Sequence, residues 1–388
     1  MQRLIAYLRH PTTRSVGLVF FSLGILFLGM MARLPEIKAR LALDQFQIGM
    51  VLWSLSIGAM LGTLVSGRLL RHLTSGQGAF RFILGAAVVV NLIPWAPSYT
   101  FLLIGFLLAG ASNALVNVAM NSAAASVEQT SGTTILSTCH GMFSLGAFVG
   151  AAVSGLMSKW GVSLEMHLLG VGILMTAINL VHRRHLVAVP DLPSDDNHRM
   201  FVLPDRALLW PAVLIFGTGI LEGTMIDWSP IYFRDVLGAG PFWVSFSAGA
   251  VTGAMALFRF GGDGLRDRFG ERTVLRVCAV LTFTGVWLNV LVPLIPVVLF
   301  GNFLAGAGLG TMVPIIYSLA ARMPGSSPKH AVAGMAAVSL IGFMTGPPVI
   351  GGIAEGYGLR YGFAFAGVIA GVALFATFRM RNSQTPSS

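Results

Sequence analysis

Twelve apolar stretches of membrane-spanning length follow one another along the chain, separated by short polar or Pro- and Gly-containing breaks. A spanning helix needs about 20 predominantly apolar residues. Stretches of that kind are predicted near 15–34, 46–67, 82–97, 100–124, 138–158 and 164–182. Six more lie near 208–229, 241–258, 273–294, 296–320, 331–354 and 360–379. The charge-free run from Val277 to Ala321 is divided by Pro293 and Pro296, and Ile93–Tyr99 ("IPWAPSY") makes the matching break in the first half. Arg3, Arg9 and Arg14 precede the first stretch as they would in a signal peptide. The run Ser15–Leu34 is long and lacks an A-x-A site, so it reads as the first span.

Composition agrees with this pattern. Hydrophobic residues make up 55% of the chain and charged ones 10%, with a mean hydropathy of +0.78. Soluble domains carry about 25% charged residues, so lipid must solvate much of this surface. The formal net charge of +10 would suit nucleic acid, but its placement argues for topology instead. With both termini inside, the inner segments hold nineteen Lys and Arg, Arg259 among them, and the outer loops six. That bias predicts that both termini lie in the cytoplasm. Cys139 and Cys278 offer neither a disulfide framework nor a CxxC pair and read as small buried thiols.

One long polar connection, 183–207, carries "VPDLPSDDNHRM" and divides six spans (1–182) from six (208–388). The two parts repeat each other. A shift of 196 lays Gly146, Gly150 and Gly155 on Gly342, Gly346 and Gly351, and Gly110 on Gly306. A shift of 195 lays Gly24 on Gly219 and Pro35 on Pro230. Repeats of this sort are a common transporter architecture.

Six plus six helices, a central loop and related halves resemble the major facilitator superfamily. Its motif between the second and third spans of a half, G-x-L-x-D-R-x-G-R-R, is similar to Asp263–Arg272 ("DGLRDRFGER"), with Leu265, Asp267, Arg268, Gly270 and Arg272 in place. The corresponding Gly67–Gly76 keeps Gly67 and Leu69 but has Arg71 and His72 where the family has an acid and a base. Leu221–Gly238, Asn117–Ser122 and Gly342–Gly351 resemble the MosC/YbjJ-like branch of bacterial facilitators, distantly similar to sugar porters. The resemblance implies an all-α membrane protein of twelve helices in two pseudo-symmetric bundles. It also implies a monomer that moves a small-molecule solute.

The residues that would carry such transport are few. Glu222 lies fourteen residues into the seventh stretch, at roughly 21 Å of a ~30 Å core, somewhat outside the midplane. A charge near a helix centre costs about 2.5–3.5 kcal/mol, and protonation relieves most of it, so Glu222 is a candidate proton carrier or solute contact. A Glu bonded to a neighbouring helix is the plainer alternative. Asp227 is expected further out, beside an interfacial Trp228, on a helix that ends at Pro230. Asn113, Asn117 and Asn121 recur every four residues and share a helical face. They would either line a hydrophilic path or join helices. His140 is open between a ligand or relay role and packing, and His167 is expected at the outer interface. Asp263, Arg266, Asp267, Arg268, Gly270 and Arg272 are read as a cytoplasmic gate, or as charges that only enforce topology.

No residue spacing marks a metal site, a P-loop or a nucleophile–base set. The expectation is therefore no cofactor and no enzyme, but a secondary transporter of a small polar solute, sugars included, by alternating access. Its rivals are a drug or metabolite efflux antiporter of the same fold and, more remotely, a membrane receptor without flux.

Overall fold

A computed structural model describes residues 10–131, 135–189, 208–323 and 328–380. Helix starts follow capping chemistry as much as hydropathy. The helix Gln45–Leu70 opens on a reciprocal box, in which Asp44 Oδ1 accepts from the Gln47 amide at 2.7 Å and Gln47 Oε1 from the Asp44 amide at 3.0 Å. Thr74 and Gln77 form a second box. The third helix therefore begins at Ser75, a full turn and more before the apolar run expected from 82. Helix ends extend in the same way, the fourth running from Tyr99 to Ser131 and the sixth to Val187. The expected breaks at Pro293 and Pro296 hold. One helix stops at Leu291 and the next starts at Ile295 with Pro in its first turn, where no donor is missed.

Among the described residues, twelve helices are long and apolar enough to cross a membrane. They are Pro11–Arg40, Gln45–Leu70, Ser75–Trp95, Tyr99–Ser131, Leu136–Lys159 and Leu164–Val187, then Leu209–Asp235, Pro241–Gly261, Glu271–Leu291, Ile295–Ala321, His330–Tyr357 and Leu359–Arg379. An even number of crossings brings the chain back to the side on which it began. The molecule thus has a terminal end and a far end, the latter carrying Lys38 and Asp235.

Packing repeats with the sequence. In the first half the first span lies on the fifth and the second on the fourth; in the second half the seventh lies on the eleventh and the eighth on the tenth. Glycines allow these approaches, as small residues do between membrane helices. A Cβ on Gly146 would lie 2.2 Å from the Phe21 carbonyl oxygen, and one on Gly342 would lie 2.3 Å from that of Phe216. Gly110 meets Leu55 as Gly306 meets Val251. The glycines matched by the 195–196 shift therefore occupy equivalent helix crossings.

The halves meet through the fifth and eighth spans and through the second and eleventh. At the far end Gly49 sits against the backbone of Pro347 and Gly351, and Gly155 against Phe242. Lys38 pairs with Asp235, Gln45 Nε2 donates to Asp235 at 2.8 Å, the Gln45 amide donates to Glu355 at 3.0 Å, and Arg234 donates to the Pro35 carbonyl. Toward the terminal end the second span loses this cover, and consecutive Gly67, Arg68 and Leu69 are all exposed.

Candidate functional site

The seventh span does not end at Pro230. Its α-helix Leu209–Gly223 widens into a π-helical turn, Thr224–Trp228, and resumes as Ser229–Asp235 with Pro230 in the first turn. The turn absorbs the donor that proline lacks, and the Ser229 hydroxyl donates to the Met225 carbonyl at 2.6 Å. Two expectations change as a result. Glu222 is central rather than displaced outward, with thirteen residues of Leu209–Asp235 on either side. Asp227 sits within the span, and Trp228 beside it is 1% exposed, a core residue rather than an interfacial one. A buried knot beyond the turn anchors this segment. Tyr232 Oη donates to the Asn289 carbonyl at 2.6 Å, Asn302 Nδ2 donates to Ser229 Oγ and the Ser247 carbonyl, and the Asn289 and Asn302 amides meet at 2.7 Å.

Opposite Glu222 stands Arg259. Its sequence neighbourhood suggested a cytoplasmic, topology-setting base, but the eighth-span helix continues to Phe269 and carries Arg259 inside the membrane segment Pro241–Gly261. One guanidinium nitrogen, Nη2, lies 3.9 Å from Glu222 Oε1. The other, Nη1, donates to Ser144 Oγ of the fifth span at 2.6 Å, and Nε donates to the Gly310 carbonyl of the tenth at 3.3 Å. This arginine thus touches the seventh and tenth spans of its own half and the fifth span of the other. The Glu222 and Arg259 side chains retain 19% and 17% exposure. Asp227 lies within electrostatic reach of Glu222, and His140, one turn before Ser144, within reach of Arg259. The His140 ring also meets Phe20 edge-on, with centroids 5.4 Å apart. The structure therefore brings Glu222, Asp227 and His140 together around an arginine that sequence reasoning had assigned elsewhere. Arg259 stands seven residues before the next base, Arg266, and that separation was the available signal; the Gly-rich stretch between them hid it.

The asparagines form a ladder. Asn117 Nδ2 donates to Asn113 Oδ1 and to the Asn113 carbonyl, both at 3.3 Å, and Asn121 Nδ2 donates to the Asn117 carbonyl at 2.8 Å. All three are half-buried near the middle of Tyr99–Ser131.

Of the gate residues, the side chain of Asp263 lies outside the described residues. Gly270 has φ +78°, a left-handed backbone that favours glycine, and so ends one helix and begins the next. Arg266 pairs with Glu271, which Arg322 also pairs with and Ser318 Oγ bonds at 3.2 Å. This cluster joins the ends of the eighth, ninth and tenth spans within one half, and Glu271 at its centre was not singled out from sequence. Arg268 lies over the Phe269 ring, and Asp267 and Arg272 flank the same turn. His167, in the first turn of the sixth span, is buried within the protein at 4% exposure. Both cysteines are free and buried.

A family model for the Major Facilitator Superfamily matches residues 15–329 and 255–388. The chain belongs to that superfamily. Among curated relatives of this facilitator are the membrane protein MosC of Rhizobium meliloti, 27% identical over 96% of this chain and 92% of that one, and an uncharacterized MFS-type transporter of Yersinia pestis, 27% identical over 88% of each. Among solved structures, a variant of the nucleoside transporter NupG superposes with a TM-score of 0.73 at 15% identity, covering 96% of this chain and 100% of that one. A variant of the E. coli fucose:proton symporter FucP gives 0.64 at 16%, covering 95% and 98%. The protein is a multi-pass facilitator-type transporter of small molecules and not an enzyme.

Proposed function

We propose that this facilitator carries a small polar, sugar-like solute across the bacterial inner membrane and couples its movement to protons at Glu222. The observation that carries the reading is the largely buried carboxylate–guanidinium pair, with Glu222 at the middle of its span, joined to the opposite half through Ser144. A charge at this depth costs about 2.5–3.5 kcal/mol, and protonating Glu222 removes both that cost and its hold on Arg259. Proton occupancy and the contact between halves are thereby linked. The Asn113–Asn117–Asn121 ladder supplies amide donors and acceptors at similar depth, suited to hydroxyls rather than to large apolar drugs. Fucose and nucleosides, the cargoes of two structural neighbours, are polyhydroxylated too.

The units that move are residues 1–182 and 208–388, linked by 183–207, with both termini cytoplasmic by the charge bias. On that orientation the far end is external and closed, and the site is reached from the cytoplasm. Asp263, Arg266, Asp267, Arg268, Gly270 and Arg272 act as the inner gate in the alternate state. The transporter works as a monomer. Uptake into proteoliposomes, with and without a pH gradient, tests the coupling. Wild-type protein accumulates solute only with the gradient, and Glu222→Gln does not accumulate it. Equilibration that ignores the gradient and is the same in both proteins would sink the reading.

A further inference from the structure

We infer that the gap between Glu222 and Arg259 is a hydroxyl-binding slot, so that the solute is a neutral polyol or sugar held by one hydroxyl bridging the two. The inference rests on the transport reading above and specifies how its site recognises cargo.

The spacing carries it. At 3.9 Å, Nη2 and Oε1 are beyond the 2.7–3.2 Å range of a direct hydrogen bond. They attract each other without either satisfying the other. A hydroxyl is at once a donor and an acceptor. An oxygen placed ~2.8 Å from each group, an ordinary distance, subtends an angle of roughly 90° between them, which an sp³ oxygen accommodates. It accepts from the guanidinium and donates to the carboxylate, completing both.

Two features keep the slot from collapsing or opening. The other edge of Arg259 is fixed by Ser144 Oγ at 2.6 Å and the Gly310 carbonyl at 3.3 Å. Glu222 projects from the turn just before the π-helical segment, itself anchored by the Asn289–Asn302 knot. The pair sums to no net charge, and Asp227 stands within electrostatic reach. A carboxylate solute would have to displace Glu222 and approach Asp227, and an ammonium solute would have to displace Arg259. A neutral hydroxyl displaces neither. Lysine at 259 would keep the charge but lose the fork that allows one edge to be anchored while the other binds. Ser144 belongs to the opposite half, so its hydroxyl is a positioning group: it aims Arg259, and through it the geometry of the slot senses the bundle interface.

The test is binding to purified full-length protein by isothermal titration, with matched probes. These are D-ribose and 2-deoxy-D-ribose, D-glucose and 2-deoxy-D-glucose, D-galactose and D-fucose, and myo-inositol, with gluconate and glucosamine as charged controls. The expected result is that at least one parent sugar binds and its deoxy partner binds tenfold or more weaker. That is the penalty for leaving hydrogen-bonded charged groups unpaired. In Arg259→Lys the parent-to-deoxy ratio falls to about threefold or less, and Ser144→Ala shifts the ratio in the same direction while melting at the wild-type temperature. Deoxy partners binding as well as parents overturn the inference. So does binding confined to gluconate or glucosamine, an unchanged ratio in Arg259→Lys, or no binding by any probe. Gradient-driven flux of a solute without hydroxyls would overturn it as well while leaving the transport reading intact; absence of gradient-driven flux for any solute would remove the transport reading itself.

Discussion

At the residue scale, buried charge separates groups that hold the fold from groups that work. Arg33 is 3% exposed and grips Glu36 with two bonds of 2.7 Å. It also donates to the Val162 and Ser163 carbonyls, tying the first span to the turn between the fifth and sixth. Arg40 makes a single 2.8 Å pair with Glu165 and is 40% exposed. Glu36 stays 38% exposed, so what the loss of Arg33 strands is the pair of Val162 and Ser163 carbonyls, at about 1–3 kcal/mol, whereas an exposed pair contributes at most about 1 kcal/mol. Arg33→Ala is therefore expected to lower the melting temperature in detergent sharply, and Arg40→Ala to shift it little. Equal shifts would show that Arg33 is not the clamp described. Arg259 differs from Arg33 in having its second nitrogen only loosely matched, which is why its loss is expected to show in solute recognition. Glu222 was legible in the sequence as an acid inside an apolar stretch. Arg259 and Glu271 were not, because a base near a helix end reads as topology until the helix is seen to continue past it.

Among elements, glycine crossings make the sharpest predictions. A Cβ on Gly58 would lie 1.9 Å from the Leu107 carbonyl oxygen, on backbone that cannot swing away, whereas Gly85 has nothing within 4 Å. Gly58→Ala is expected to destabilise by about 1–3 kcal/mol through overpacking. Gly85→Ala is expected to be neutral or to stabilise by up to about 1 kcal/mol from helix propensity. Thermal unfolding of the two variants side by side checks this, and a stable Gly58→Ala would contradict the crossing. Hydropathy located all twelve spans, but it misplaced their ends where polar turns were capped, as at Thr74, or where a proline was absorbed, as at Pro230. Both effects depend on single hydrogen bonds, which an apolar window does not register.

For the whole molecule, closure at the far end depends on a small set of polar links between halves, centred on Asp235 with Lys38 and Gln45. Partly exposed ion pairs contribute about 0.2–1 kcal/mol each. Lys38→Gln with Asp235→Asn is expected to move the balance toward opening at that end by roughly two- to fivefold. Labelling of a single cysteine placed at Ser158 or Phe242 by a membrane-impermeant reagent from outside would report it as a faster rate. A rate unchanged from the parent would mean that apolar packing around Phe148, Phe242 and Phe246 holds that end alone.

The sequence by itself determined the class of solvent, the number of crossings, the twofold repeat and the family. Each is a statement about periodic hydropathy or about spacing along the chain, and local residues suffice for it. It also placed one acid, three amides and a histidine inside apolar stretches. Only the tertiary structure decided that Glu222 faces Arg259, that Ser144 of the other half completes the arginine, and that Arg322 reaches Glu271. Those pairings join residues 37 and more positions apart in different helices. Which faces meet is set by helix rotation and by glycine-controlled approach, and neither is written in any one segment.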